Sequence, residues 1–265
     1  MLYGAAIGDI AGSRFESYDY KRKDFEFFHY TDRFTDDTVM TIAVYEACLE
    51  IKSKGLINQV DIEKCFTEYM QKWGRNYPGA GYGGRFCEWI ISENPKPYSS
   101  WGNGSAMRVS AIGWMFDSIE DVEKTAEYSA NVSHNHIEGI RGAKAAAVAV
   151  YLARTGHSKR QIKRYIEGTL KYKLHRCGFV RPKYKFDVSC QGTIPVAIES
   201  FLESKNFEDA IRIAVSMGGD SDTIGAITGA IAEAYYGIPD DIKLKSLNYM
   251  DKNITNVIKE ANHEC

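Results

Sequence analysis

No stretch of this chain approaches the ~20 consecutive apolar residues that span a bilayer, so no transmembrane helix is expected. Cysteine is sparse. The six cysteines stand at 48, 65, 87, 177, 190 and 265, with no C-x-x-C pair among them. That spacing suggests neither a thiolate zinc site nor a disulfide framework, and it fits a reducing compartment. Charge of one sign is also missing: 33 Lys and Arg stand against 35 Asp and Glu, a net charge of -2. Bulk attraction to nucleic acid or to a membrane surface is therefore not expected. Residues 1–13, MLYGAAIGDIAGS, are mildly apolar but carry no basic stretch and are interrupted by Asp9. They make a poor secretory leader, and the expected location is the cytoplasm.

Strand signals are scarce. Phe25–Phe28 and Phe179–Val180 are short and have no alternating partner run. Gly79–Gly84 contains G-x-G-x-x-G, but Pro78 and a helical run precede it, and Ser99-Ser100-Trp101 lies where a dinucleotide fold would carry an acid. A dinucleotide site is excluded on that ground. Neither a P-loop nor G-x-S-x-G is present.

What the sequence does have is helical periodicity. Ile224, Ile227, Ile231 and Tyr235 recur at intervals of three and four, and Gly225, Ala226, Gly229, Ala230 and Ala232 keep the rest of that helix narrow. Such a helix can be approached closely and is expected to be central. A second helix is expected over 138–154, and others near 1–13, 38–53, 60–73, 105–116, 119–131, 158–172, 191–203, 206–216 and 239–249. With 44% hydrophobic residues and no linker or low-complexity tract, residues 1–265 are expected to form one all-α domain.

Two oxygen-rich clusters stand far apart. Phe34-Thr35-Asp36-Asp37-Thr38 precedes one helical run, and Gly218-Gly219-Asp220-Ser221-Asp222-Thr223 opens another. Thr35, Asp36, Asp37, Asp220, Asp222 and Thr223 offer four carboxylates and two hydroxyls, all hard ligands suited to Mg2+-like cations. Four carboxylates balance two divalent ions. The ordinary alternative is helix capping, since Asp, Ser and Thr at helix starts satisfy free N–H groups. The Gly-Gly pair favours a site, because capping rarely requires two successive residues with unusual backbone angles.

A small-residue loop, Ser99-Ser100-Trp101-Gly102-Asn103-Gly104-Ser105, leads into a helix expected over 106–116. It is either an ordinary turn or an anion cradle at a helix start. His134 and His136 lack a third nearby ligand, so zinc is not expected there. Lys159, Arg160, Lys163 and Arg164, with Lys171 and Lys173 beyond, read as a solvated helix face or, more sharply, a target-docking patch.

Taken together, GAAIGDIAGSRFE at 4–16, FTDDTVMTIA at 34–43, GNGSAMRVSAIGW at 102–114, SHNHIEGIRGAKAAA at 133–147 and GGDSDTIGAITGAIAEAYYG at 218–237 resemble the ADP-ribosylglycohydrolase family. Five motifs in order are far more specific than one. The resemblance implies an orthogonal helical bundle with two Mg2+ ions (Mn2+ the alternative) in a cleft, held by Thr35, Asp36, Asp37, Asp220, Asp222 and Thr223. It implies ADP-ribose contacts from Ser100, Trp101, Gly102, Asn103, Gly104 and His134, and a loop over the metals carrying Glu16. Asp36 or Asp37 is expected to activate water, with Glu16 assisting, while Asp9 is expected to bond a loop near the metals. Ile137 stands where many relatives have proline, a loop detail.

The implied activity is hydrolysis of the bond between ADP-ribose and an acceptor, first of all arginine on a protein. Serine linkages, poly-ADP-ribose and small ADP-ribosyl metabolites are the rival substrates. Two other classes, a non-catalytic ADP-ribose-binding protein and a two-metal phosphoesterase, are weighed against it; retention of all four aspartates favours an enzyme. The chain is expected to act as a monomer.

Overall fold

A computed structural model describes residues 1–263, and among these it is all-α, with one isolated antiparallel bridge, Gly102 to Ser189, outside the helices. In chain order the helices are α1 (Tyr3–Ser13), α2 (Asp36–Lys54), α3 (Gln59–Asn76), α4 (Gly84–Ile91), α5 (Ser110–Met115), α6 (Ile119–Asn131) and α7 (Ile137–Arg154). They continue with α8 (Lys159–Gly168), α9 (Cys177–Val180), α10 (Cys190–Glu203), α11 (Phe207–Val215), α12 (Ser221–Tyr236), α13 (Asp240–Ser246) and α14 (Lys252–His263).

The centre is α1 against α12. Gly4, Gly8 and Gly12 recur every fourth residue and face Gly229, Gly225 and Ser221. A Cβ on Gly8 would lie 2.0 Å from the Gly225 carbonyl oxygen, and one on Gly229 would lie 2.1 Å from that of Gly4. The two backbones run antiparallel in contact, which only glycine permits. All of α1 and α12 from Ser221 to Glu233 are buried, as expected of a central helix. The Glu233 carboxylate accepts the Gly4 N–H at 2.8 Å and so satisfies a free donor at the start of α1. This pairing carries Asp9, one residue past Gly8, towards the start of α12.

α7 is the other inner helix. Its Gly139, Gly142, Ala143 and Ala145–Ala147 are buried, and a Cβ on Gly142 would lie 2.3 Å from Cys190 Sγ on α10. The 98–105 loop sits on this pair, with the Ser105 hydroxyl donating to Gly139 O at 2.8 Å.

Several expected boundaries need correction. The helix expected over 105–116 is a 3-10 turn at Asn103–Ser105 followed, after a break, by the six residues of α5. The break places Arg108 wholly inside the protein, where it donates to Ser129 O and Ser133 Oγ. The expected helix at 158–172 ends at Gly168, and Phe179–Val180, too short and unpartnered for a strand, closes α9. α4 and α14 had no counterpart in the sequence reading.

Candidate active site

The two acidic clusters meet. Thr35 precedes α2, and its hydroxyl accepts the Asp37 N–H at 3.3 Å, an ordinary cap. Asp220 precedes α12 but makes no cap bond; its carboxylate accepts Asn103 Nδ2 instead. Thr223 Oγ1 donates to Asp37 Oδ2 at 3.1 Å, joining residues 186 apart. Gly218 and Gly219 both take left-handed backbone angles, φ 70° and 76°. A Cβ on Gly219 would come within 3.1 Å of the Lys185 carbonyl oxygen, so that turn needs glycine. The turn after α1 is bonded to it on both sides, Ser17 N–H to Gly219 O at 3.0 Å and Gly219 N–H to Tyr18 O at 3.2 Å. Glu16 is thereby brought beside Asp220 and Asp222, with one carboxylate oxygen of each within 4.8 Å of the others.

Asp9 organises the first cluster. Its carboxylate accepts the Thr35 N–H and hydroxyl, both at 2.8 Å, and the Thr38 N–H at 3.1 Å. Asp9, Asp37, Asp220 and Asp222 are all buried, and Asp36 is half-buried. Among the described residues, none of these five carboxylates, nor Glu16, forms an ion pair with Lys or Arg.

Such crowding shifts their acidities. Burial, then the charges of Asp9 and Asp220, push Asp36 up to about 8. Burial, then their acidic neighbours, hold Asp37 and Asp222 well above the usual carboxylate range. Burial raises Asp220 too, against the opposing hydrogen bond from Asn103. Asp9 rises to about 6 by burial, restrained by its Thr35 and Thr38 bonds. Asp37 Oδ1 is buried with no hydrogen-bond partner. An all-oxygen set with uncompensated charge and an unpaired inward oxygen fits a hard divalent cation, and it lacks the sulfur or imidazole of a zinc site.

These residues line part of a cavity of about 430 Å³, the size of a small-molecule site. Glu16, Thr35, Asp36, Asp37, Asp220, Asp222 and Thr223 line it together with Ser100, Gly102, Asn103, Gly104 and His134. Trp101 does not. It is 55% exposed, with its ring edge-on to His136, 5.5 Å between centroids. The anion cradle also differs from expectation. The Gly102 N–H is taken by Ser100 Oγ (3.1 Å) and the Asn103 N–H by Val188 O (2.8 Å), and no long helix begins behind the loop. His136 caps α7, accepting the Glu138 N–H at 3.2 Å. His134 is buried, and burial, then the nearby Arg108 charge, hold it neutral. A Cβ on Gly104 would lie 3.2 Å from its Nε2, so glycine there lets the ring reach the loop.

Sequence reasoning missed Arg33, Arg85, Phe86, Tyr98 and the Gly81–Gly84 turn, which contribute to the lining alongside Ala80, Met107, Arg108 and Val188. No local pattern marked the two arginines among 33 basic residues. The glycine turn, rejected as a dinucleotide motif, had a different use: Ala80 O accepts the Asp36 N–H at 2.9 Å, and Gly81 (φ 111°) leaves room beside the Asp36 carboxylate.

The chain is similar to known proteins along most of its length. The family model described as ADP-ribosylglycohydrolase matches residues 1–264. ADP-ribosylhydrolase ARH3 of Mus musculus is 28% identical over 89% of this chain and 83% of its own. ADP-ribosyl-[dinitrogen reductase] glycohydrolase of Rhodospirillum rubrum is 25% identical over 85% of this chain and 76% of its own. A solved structure titled ADP-ribosylglycohydrolase-related protein complex superposes with a TM-score of 0.67 at 21% identity, covering 94% of both chains. That last likeness speaks to the fold alone.

Proposed function

The chain belongs to the ADP-ribosylglycohydrolase family, and from that premise we propose that it hydrolyses the glycosidic bond between ADP-ribose and arginine on a modified protein, as a one-domain, cytoplasmic, monomeric enzyme dependent on divalent metal. The Thr223–Asp37 bond carries this reading, because it joins two separate acidic segments into one oxygen-lined pocket. Thr35, Asp36, Asp37, Asp220, Asp222 and Thr223 are the residues that would hold two Mg2+ ions, or Mn2+ in their place. Bound there, the ions would orient the distal ribose hydroxyls and stabilise charge in the transition state.

The chain's own groups do the rest. Asp36 or Asp37 accepts a proton from the attacking water, which adds at the anomeric carbon as the bond to the acceptor breaks. The electron pair of that bond leaves with the acceptor nitrogen, which takes up a proton from solvent, balanced by the one the aspartate later returns to it. Asn103 holds the Asp220 carboxylate in one orientation. Glu16 stands beside Asp220 and Asp222, where it assists the reaction. Arg33 and Arg85 line the same cavity and would offer positive charge to the diphosphate. Ser100, Gly102, Gly104 and neutral His134 shape the wall towards the adenosine. Trp101 contacts the nucleotide only if its exposed ring turns inward.

Arginine comes first among the acceptors on the likeness to a relative named for an ADP-ribosylated protein, dinitrogen reductase, and the ARH3 likeness is what keeps the other linkages as rivals. Serine linkages, poly-ADP-ribose and small ADP-ribosyl metabolites are separated by the same experiment. Defined arginine-, serine- and phosphate-linked ADP-ribosyl substrates and a phosphodiester are incubated with the protein in Mg2+ or EDTA. Free ADP-ribose released from the arginine substrate in Mg2+ only is the expected result. Release from none of them leaves a binding protein, and cleavage of the phosphodiester alone makes the protein a phosphoesterase.

A further inference from the structure

Between Lys171 and Phe186 the sequence carries six Lys or Arg and no Asp or Glu, in a chain whose net charge is -2. This run links α8 to α10 and contains only one short helix, α9. Lys171, Lys173, Arg176, Lys183 and Lys185 are exposed. Among the described residues, only Lys185 of the six pairs with an acid, Asp19 at 2.8 Å. Most of this charge is therefore not spent inside the protein.

Exposed apolar groups are interleaved with the cations. Phe179 is 64% exposed, with Lys183 Nζ 4.6 Å above its ring, and Phe186 and Val188 are about half exposed. Recognition surfaces are enriched in aromatic residues and arginine, so Phe179, Phe186 and Arg176 offer contact while the lysines supply a positive field.

The strip is fastened to the mouth of the cleft. Val188 lines the cavity, and its carbonyl accepts the Asn103 N–H at 2.8 Å. The backbone at Lys185 and Phe186 packs against Gly219, where a Cβ would lie 3.1 Å from each. The C-terminal end of the strip therefore lies beside the cleft.

We propose that the Lys171–Phe186 strip docks the protein bearing the ADP-ribosylated residue, and that it selects target surfaces that are acidic beside the modification. This names the partner class for the site proposed above and rests on that reading. Opposite charge would speed encounter and fix register, with the aromatic rings adding contact area. It also gives the basic residues of this region a use beyond a solvated face.

Two readouts separate the docking surface from the hydrolytic site. The first is fluorescence anisotropy of a labelled, unmodified glutamate-rich peptide with the full-length protein, which requires no turnover. The wild type should bind, and more weakly as salt rises. The triple variant Lys171→Glu, Lys173→Glu, Arg176→Glu should weaken binding about tenfold or more, whereas Lys243→Glu, Lys245→Glu, Lys252→Glu should not. The second readout is steady-state hydrolysis. The strip variant should raise KM for an ADP-ribosylated peptide with acidic flanks, with kcat preserved and with kinetics on small ADP-ribosyl-arginine unchanged. Equal peptide binding by the wild type and the strip variant overturns the proposal. So does tighter binding of a labelled oligonucleotide of equal charge, or an equal rise in KM for neutral-flanked peptide. Peptide binding lost in the strip variant, with no hydrolysis of any substrate by the wild type, would uphold the docking surface and refute the hydrolase.

Discussion

The Asp9 carboxylate accepts both the backbone N–H and the hydroxyl of Thr35 at 2.8 Å, across 26 residues of sequence. α1 is thereby pinned to the start of α2 while its glycine face is pressed against α12. One buried side chain thus aligns both acidic segments.

Replacing it tests that role. Asp9→Ala strands the Thr35 and Thr38 donors in a buried place, and each unsatisfied group costs about 1–3 kcal/mol. Chemical denaturation should show a loss of about 2–4 kcal/mol. Turnover should fall as well, and added Mg2+ should not restore it. Full activity with Asp9→Ala would show that the α2 segment holds its position unaided.

The glycine contact makes a stability prediction that does not depend on chemistry. Gly8→Ala places a methyl 2.0 Å from the Gly225 carbonyl oxygen, so the helices must separate. The expected loss is about 3 kcal/mol or more in urea denaturation, or failure to fold. Gly79→Ala, with no atom within 4 Å of the new methyl, should change stability by less than about 0.5 kcal/mol. Equal effects from the two would contradict the packing.

The raised carboxylates set a pH dependence for the cation-free protein. A buried acid whose folded pKa lies above its unfolded value of 3.8 opposes folding when ionised. That cost is full above the folded pKa and is relieved as pH falls through it. Asp36 rises to about 8 and Asp9 to about 6. In EDTA, Tm should therefore climb as pH is lowered from 9 to 6. Added Mg2+ should raise Tm most at the alkaline end, where the ligands are already ionised. A flat or opposite slope in EDTA, by calorimetry, would count against the buried cluster.

Asp37→Asn separates stability from activity. It removes one charge from a crowded site, so metal-free Tm should rise while turnover falls by about 100-fold or more. A parallel loss of both would mean that the aspartate holds the fold together rather than serving the site.

Asn103→Ala tests a quieter contributor. It deletes the donor to Asp220 and to Thr193 Oγ1, the latter at 2.9 Å. Metal affinity or turnover should drop about 10–100-fold, with Tm changed little. Asn103→Asp would add a further acid and should do no better.

Much of this protein could be read from residue pattern. Ile224, Ile227 and Ile231 with their glycines marked α12 as a narrow inner helix, and it is buried over most of its length. Thr35–Asp37 and Asp220–Thr223 stood out as hard-oxygen runs at helix starts, the second after a Gly218-Gly219 pair that a cap does not need. Elsewhere the pattern failed for physical reasons. The 105–116 segment is apolar enough for one helix, yet it is broken where Arg108 is buried against Ser129 and Ser133. α4 begins in a glycine-rich turn that hides its start. The sequence also gives no sign of where the Trp101 ring points; it is 55% exposed beside His136, outside the cavity lining.

By itself the sequence determined what depends on neighbours along the chain: the helical class, the hard-oxygen chemistry and the glycines that permit left-handed turns. Only the tertiary structure decided what depends on distance. It set Thr223 against Asp37, Asn103 against Asp220, and Arg33 and Arg85 into the same cavity. It also raised the acidities, because burial and mutual charge act between residues nearly two hundred positions apart, and no local pattern records that separation.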